Sequence, residues 1–291
     1  MTKKILITGA TGFIGQHVFK LFKDRGLKVT GIAFEGGRVD RQKILKLNLC
    51  DSQKVENFFK KNKFDTIIHL AARVPKSNDP LEQKLSLQEN ITSTFNILEE
   101  FSRSNAKKFI YASGISVEEV EKKNSSSLYV ISKYFGEVLN EYYQKKFKKD
   151  IISLRISAPY GPGQKPNNVI PIFIKNALES KDIRVFGTGR RTQDFIYIDD
   201  VARAFLAAVK SDRSGIYNIG SGQSTSTKKL AEIILKTIPE SRSKIVFSGK
   251  DPQENYRARV DISKTKKVLK FTSKIMIEEG IKKYVEDSYH S

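Results

Sequence analysis

The sequence is poor in residues that build covalent or metal-bound scaffolds. One cysteine, Cys50, in 291 residues excludes an internal disulfide. With only three histidines (His17, His69 and His290), a cysteine/histidine zinc site is not expected, and no metal is called for. Tryptophan is absent, and no run approaches the roughly 18 apolar residues of a membrane-spanning helix. The basic N-terminus enters a strand-like run broken at Gly9, with no cleavable signal pattern. These absences describe a reduced, cytoplasmic protein without membrane insertion. Acidic residues are also short, 32 Asp plus Glu against 52 Lys plus Arg, for a formal charge of +20. The lysines are dispersed over the polar faces of predicted helices, as at Lys145, Lys146, Lys148 and Lys149, with no basic tail. That pattern reads as a solvated surface that would also favour an anionic small substrate; no nucleic-acid partner is expected.

What is present is an alternation of short apolar strands and amphipathic helices. Lys3–Thr8, Lys28–Ala33, Ile44–Leu49, Asp65–Leu70, Lys107–Ala112 and Ile151–Ile156 read as strands, bounded by Gly, Asp or Asn. Asp51–Lys61, Leu85–Ser104 and Tyr129–Phe147 read as helices. Runs of this kind belong to parallel strands covered on both faces, so an α/β fold with a Rossmann-like doubly wound sheet is expected. Beyond residue 156 the rhythm becomes irregular. Helices are predicted at Val169–Leu178, Asp199–Val209, Thr227–Thr237 and Ile275–Val285, with strands at Ile183–Phe186, Phe195–Ile198, Tyr217–Ile219 and Lys244–Phe247. The expected division is 1–156 for dinucleotide binding and 157–291 for a smaller substrate-binding α/β lobe, with some later elements returning to the first domain.

Two patterns carry chemistry. Gly9-Ala-Thr-Gly12-Phe-Ile-Gly15 follows a predicted strand and opens a predicted helix. Gly9 permits the tight turn, Gly12 lets the backbone approach a pyrophosphate, and Gly15 lets helix and strand pack closely, with the helix N-terminus facing negative charge. No Gly-Lys-Ser/Thr follows, which excludes a Walker A loop. Tyr129 and Lys133 are four residues apart on one face of a predicted helix. A lysine ammonium beside a phenol lowers its pKa and can hold a ribose, while the tyrosine exchanges a proton with a substrate oxygen as hydride moves.

These two patterns stand in order with His69-Leu-Ala-Ala72, Ala112-Ser113, Arg155, Tyr160–Gln164 (YGPGQ) and Asp194–Asp200 (DFIYIDD). The set resembles the extended short-chain dehydrogenase/reductase family, in the NAD-dependent epimerase/dehydratase branch acting on nucleotide sugars. The likeness runs from Lys3 to Ile281. It implies cofactor binding by Gly9, Gly12, Phe13, Ile14, Gly15, Leu70, Ala71, Ala72 and Lys133, with Asn48 and Leu49 at the adenine edge. Asn48 stands where the family has Asp, and an amide retains both donor and acceptor capacity. Asn90 corresponds to an asparagine behind the active-site helix, and His69 reads as a buried strand-end residue. Asn168 and Val169 are implied at the substrate diphosphate, Val185 at the nucleobase, and Arg191 and Arg257 at phosphate. Asp199 and Asp200 are expected to cap the helix that follows. The long helices at 85–104 and 129–147 resemble those that pair in a homodimer.

Two departures bear on the reaction. The family's ribose-binding acid at the end of the second strand is replaced by Ala33, which leans toward NADP, with Arg38 as the candidate for its extra phosphate. Glu35 keeps NAD open. The hydroxyl residue after the strand ending near 113 is replaced by Gly114, leaving Ser113 and Ser116 as candidate catalytic donors beside Tyr129 and Lys133. The favoured expectation is an NADPH-dependent reductase of a nucleotide-linked 4-keto-6-deoxyhexose with Tyr129 as acid. The alternative is an NAD-dependent nucleotide-hexose 4-epimerase. A dehydratase is disfavoured because Ile115 and Ser116 replace its Asp–Glu pair. A cofactor-binding regulatory protein without catalysis is the alternative of another class, resting on Gly114. A basic nucleic-acid binder on the same scaffold rests on net charge alone.

Overall fold

The structure, a computed structural model, describes residues 3–124, 127–258 and 260–289; His290 lies outside them. The elements begin with β1 (Lys4–Thr8), α1 (Phe13–Asp24), β2 (Lys28–Ala33), β3 (Gly37–Val39), β4 (Gln42–Lys46) and α2 (Ser52–Lys61). They continue with β5 (Thr66–His69), α3 (Pro80–Arg103), β6 (Lys108–Gly114), α4 (Val117–Glu121), α5 (Leu128–Phe147) and β7 (Asp150–Ile156). Next come β8 (Ala158–Tyr160), α6 (Val169–Leu178), β9 (Ile183–Phe186), β10 (Thr192–Gln193), β11 (Phe195–Tyr197) and α7 (Ile198–Lys210). Last are β12 (Gly215–Ile219), β13 (Thr225–Ser226), α8 (Thr227–Thr237), β14 (Ile245–Ser248), α9 (Ser263–Leu269) and α10 (Ile277–Tyr289).

The chain divides into two compact units. The first is the chain up to Ile156, joined by Ala202–Asn218 and Lys264–Phe271; the second is Ser157–Val201, Ile219–Ser263 and the chain from Thr272. Among the described residues the large sheet has eight strands in the order β12-β7-β6-β5-β1-β2-β4-β3. β1 pairs in parallel with both β2 and β5, so the chain winds outward first to one side and then to the other. This is the doubly wound architecture expected from the sequence, with its topological switch between β1 and β5. The second unit carries short two-stranded ladders, β8 with β11, β9 with β14 and β10 with β13.

Burial explains the sheet. Ile5, Leu6 and Ile7 are successive residues and all fully buried, as only a strand covered on both faces requires. Leu6, Ile32, Ile67, Phe109 and Tyr111 share one hydrophobic cluster with Val55 and Phe59 of α2, Ile97, Leu98 and Phe101 of α3, and Tyr143 of α5. Each such side chain contributes about 1.5–3 kcal/mol when fully withdrawn from water. The edge differs from expectation. The third predicted strand is a hairpin, β3 with β4, whose Val39 pairs with Gln42. Its two-residue turn, Asp40-Arg41, has both residues at positive φ (45° and 63°). Such a primed turn normally announces itself through glycine, which is absent here.

The helix bearing Tyr129 is seated against β6 with no spare volume. A Cβ on Gly136 would fall 2.1 Å from the Tyr111 hydroxyl oxygen. Gly136→Ala is therefore expected to cost about 1–3 kcal/mol of stability. The cost should shrink in a Tyr111→Leu background, which removes the hydroxyl and the ring edge, whose Cζ would lie 2.4 Å from that Cβ. Denaturant unfolding of the four proteins of this cycle checks the pairing; additive effects would contradict it.

Candidate active site

The glycine-rich turn forms as its sequence implies. Gly9 lies at φ 66°, and a Cβ there would sit 2.7 Å from the Ala71 nitrogen. A Cβ on Gly15 would fall 2.0 Å from the Gly9 carbonyl oxygen. Gly12 is the N-cap of α1, and no side chain caps that helix, so its positive end is suited to receive an anion. Above the carboxyl ends of β1, β2 and β5 opens a cavity of about 360 Å³. Of the implied cofactor residues, Gly9, Gly12, Asn48, Leu49, Leu70, Ala71 and Ala72 line it. Phe13, Ile14 and Gly15 form the first turn of α1. Arg38 sits on β3 and Lys133 on α5; neither is part of the lining.

Sequence reasoning missed Thr11, Phe34, Cys50, Arg73 and Glu89 of the same cavity. Only the folded register brings Cys50 beside the Glu89 carbonyl, which its Sγ approaches at 3.6 Å. Arg73 is held by Glu89 at 3.1 Å and Glu82 at 2.9 Å. Asn90 fixes the backbone below it: the Arg73 N–H donates to Asn90 Oδ1 at 2.7 Å, and Asn90 Nδ2 donates to the Arg73 carbonyl at 3.1 Å. Asn90 Nδ2 also donates to Ser132 Oγ at 3.0 Å, and Ser132 Oγ donates to the Tyr129 carbonyl at 2.7 Å. One amide thus ties the cavity wall to the first turn of α5.

Ser127 caps α5 through the Val130 N–H, and Tyr129 and Lys133 follow one turn apart on it. Tyr129 is half-buried, and desolvation pushes its phenol up to about 12. Lys133 is buried with its Nζ 4.6 Å from the centre of the Tyr111 ring. Burial pulls its ammonium down to about 8, opposed by the Glu137 carboxylate. The expected lowering of the Tyr129 pKa by Lys133 is not what this geometry produces: burial dominates at the phenol, and the ammonium rests on a neighbouring ring. Glu137 is itself paired with Arg155, whose Nε and Nη2 reach it at 3.0 and 2.7 Å.

His69 is fully buried between Thr8 Oγ1 at 2.8 Å from Nδ1 and Thr94 Oγ1 at 3.2 Å from Nε2. Thr94 donates its own proton to the Asn90 carbonyl, and Thr8 Oγ1 accepts from the Ala71 N–H. Those commitments fit a neutral ring protonated on Nε2. Burial, with the Lys133 charge second, lowers its pKa to about 3, consistent with a structural residue.

In the second unit a cavity of about 650 Å³ is lined by Asn167, Val169, Phe173, Arg184, Phe186, Arg191, Lys250 and Asp251, among others. Of the implied substrate residues, Val169 and Arg191 line it. Asn168 is the N-cap of α6 with no side-chain capping bond. Val185 is fully buried and packs toward Gly189; its neighbours Arg184 and Phe186, which sequence reasoning passed over, face the cavity because strand residues alternate. Arg191 Nη1 donates to Gln253 at 3.1 Å, whereas Arg257 is turned to the carbonyls of Glu254 and Tyr256. Asp199 and Asp200 fall in the first turn of α7. Asp200, however, is buried and accepts from the Lys274 and Ile275 N–H groups at 2.7 and 2.9 Å, so it anchors the entry to α10.

A glycine-cradled cavity at a topological switch, with a tyrosine and lysine on the adjoining helix, defines a dinucleotide-binding α/β enzyme. The chain belongs to the NAD dependent epimerase/dehydratase family, whose model matches residues 5–220. It is 30% identical to UDP-glucuronate 4-epimerase of Thermodesulfobacterium geofontis, over 96% of this chain and 94% of that one. It is 33% identical to dTDP-D-glucose 4,6-dehydratase of Dictyostelium discoideum, over 80% of this chain and 62% of that one. Its structure is similar to UDP-glucose 4-epimerase of Thermotoga maritima with UDP-glucose, at TM-score 0.88 and 27% identity, covering 99% of both chains. UDP-glucuronic acid 4-epimerase of Bacillus cereus, in complex with UDP-glucuronic acid and NAD, matches at TM-score 0.82 and 26% identity, covering 99% of both.

The buried ammonium yields a prediction of known sign. Lys133 binds its proton less tightly in the folded chain than in the unfolded one. Its burial therefore costs stability in full below about pH 8, and that cost is relieved as pH rises toward about 10.5. Lys133→Met should stabilise the fold by about 1–3 kcal/mol at neutral pH. The gain should fade across that alkaline window. Urea titrations at a series of pH values check it; a pH-independent difference would contradict the desolvation account.

Proposed function

We propose that the chain is a nucleotide-sugar 4-epimerase that uses NAD. The observation that carries this reading is the Tyr129–Lys133 turn, kept in a chain that matches two 4-epimerases over 99% of their length. The reductase expectation rested on NADP, and this chain's residues favour NAD instead. Arg38 is outside the cavity lining, Arg73 is committed to Glu82 and Glu89, and Glu35 follows the end of β2, paired with Lys46 at 3.0 Å. Arg73, the arginine of that lining, already spends Nη1 and Nη2 on two carboxylates. The NAD carried by the Bacillus cereus relative agrees. The turn that excludes a Cβ at Gly9 and Gly15, and the uncapped start of α1, suit its pyrophosphate.

Bound in this cavity, NAD would supply a reversible hydride acceptor for C4 of the sugar. Tyr129, whose phenol holds its proton at neutral pH in this structure, needs the Lys133 ammonium nearby to act as base toward the C4 hydroxyl. The same phenol returns that proton when hydride comes back to the opposite face, so the reaction is redox-neutral overall. Asn90 and Ser132 hold the helix turn in place for both half-reactions. In the second unit, Arg191 and the start of α6 would bind the diphosphate, and Phe186 would flank the base. The UDP-hexoses and UDP-hexuronates named for the relatives are the substrates to try first.

Purified protein with NAD and a panel of UDP-hexoses and UDP-hexuronates should interconvert C4 epimers without net change in nicotinamide absorbance. Tyr129→Phe should retain NAD binding and lose about 10²–10⁴-fold in turnover. Stoichiometric NADPH consumption with a 4-keto-6-deoxy sugar, and tighter NADPH than NAD binding, would overturn the reading in favour of the reductase.

A homodimer belongs to the same proposal. Phe135, Val138 and Tyr142 repeat at helical spacing on α5 and are 47%, 44% and 51% exposed, with Phe95 of α3 at 44%. An apolar stripe of this kind favours two-fold pairing. Light scattering should give a dimer mass that Val138→Glu converts to monomer; a monomeric wild type would contradict it.

A further inference from the structure

The purine is the part of a dinucleotide that the cavity above β1, β2 and β5 can select by hydrogen-bond polarity. A pyrophosphate at the glycine turn after β1 and a ribose at the end of β2 leave the purine to the next strand outward, since the sheet runs β5-β1-β2-β4. Residues 47–50, which leave β4, line the same cavity as Gly9 and Gly12. Leu47 and Leu49 are buried apolar residues of that segment. Asn48 is half-buried and, beside the Cys50 thiol, is the polar side chain the segment brings to the lining.

Whether Asn48 can read a 6-amino group depends on which end of its amide is available. Its Oδ1 accepts the Cys50 N–H at 2.9 Å. That bond fixes the orientation of the amide, because turning it over would set the Nδ2 donor against the Cys50 N–H. Asn48 Nδ2 has no hydrogen-bond partner among the described residues. The acceptors around it are already engaged. The Asn48 carbonyl accepts the Asp51 N–H at 3.3 Å, the Leu49 carbonyl accepts from Asn96 Nδ2 at 2.8 Å, and the Glu89 carboxylate is held by Arg73 at 3.1 Å. The end of β4 therefore offers a purine a donor. Adenine carries a 6-amino donor beside ring-nitrogen acceptors, whereas a 6-oxopurine carries an acceptor in place of that amino group. We propose that Asn48 Nδ2 donates to an acceptor on the cofactor's purine, so that this chain does not select for the 6-amino group and binds the hypoxanthine form of the dinucleotide as well as the adenine form. An aspartate at 48 would behave differently: one carboxylate oxygen would accept the Cys50 N–H and the other would be left to accept from a 6-amino group. The inference rests on the NAD reading above.

The test is an equilibrium one and needs no turnover. Isothermal titration calorimetry at neutral pH compares NAD with nicotinamide hypoxanthine dinucleotide, in which a 6-oxo group replaces the 6-amino group. In the wild type the two dissociation constants are expected to lie within about threefold of each other, since neither ligand leaves Asn48 Nδ2 without an acceptor. In Asn48→Asp the ratio should move toward NAD by about tenfold, because the new carboxylate accepts from the amino group of NAD and faces a carbonyl oxygen in the analogue. Both ligands carry the same charge, so a general effect of the added carboxylate cancels in the ratio. A wild type that already favours NAD by about tenfold or more would overturn the proposal, as would a ratio that Asn48→Asp leaves unchanged. If Asn48→Asp does not fold, the wild-type ratio decides alone. A chain that binds NADP in place of NAD refutes the NAD reading, and the purine is then decided by the same ratio for NADP and its hypoxanthine analogue. Binding of none of these dinucleotides overturns both.

Discussion

The fit of α5 against β6 is the constraint from which the rest of the site follows. Tyr111 fills the space that Gly136 leaves open and carries the Lys133 ammonium on its ring. With that helix pinned, its first turn has little freedom left. Asn90 joins the Tyr129 turn, through Ser132, to the backbone at Arg73 in the cavity above β1, β2 and β5. The arrangement is expensive. A lysine, a histidine and a glutamate are buried in one region, and each is kept by a specific partner, as buried polar groups must be. Glu137 is held by the Arg155 fork and His69 by two threonines. Lys133 alone has an aromatic face where the others have hydrogen-bonding partners, and its lowered proton affinity is the mark of that choice.

The parts of this site set by short-range rules were legible in the sequence. The glycine spacing after β1 announces a turn in which no Cβ fits at Gly9 or Gly15, and Tyr129 and Lys133 lie on one helix face by periodicity alone. Val169–Leu178, Ile183–Phe186 and Thr227–Thr237 have in the structure the bounds their patterns predict. What stayed hidden depends on long-range register. Arg73 and Glu89 are sixteen residues apart, and nothing local indicates that they meet at the wall of the cavity above β1, β2 and β5. Arg38 looked suited to a phosphate because it follows the second strand closely, but the hairpin of β3 and β4 keeps it off the cavity lining. Val185 lies between Arg184 and Phe186, the two strand positions that line the second cavity, and which side of the strand faces that cavity is decided by its packing in the fold.

The large positive charge has a plain structural side. Many lysines stand one helical turn from a glutamate, as in Lys60 with Glu56, Lys145 with Glu141 and Lys283 with Glu279. Such exposed pairs contribute little to stability, and the surplus of lysine over acid remains as a field favourable to an anionic substrate. The acids that matter to the fold are elsewhere. Asp194 is buried and accepts from the N–H groups of Ser221 and Gly222 at 2.7 and 2.8 Å, and Asp200 secures the start of the last helix.

The central claim is that hydride leaves C4 and returns to it within one catalytic cycle, with Tyr129 moving only the proton. The most direct measurement uses a UDP-hexose or UDP-hexuronate carrying deuterium at C4, converted by the NAD-loaded enzyme in ordinary water and followed by mass spectrometry and NMR. The account predicts that the epimeric product keeps its deuterium at C4, with no exchange from solvent. Loss of the label to water would contradict it.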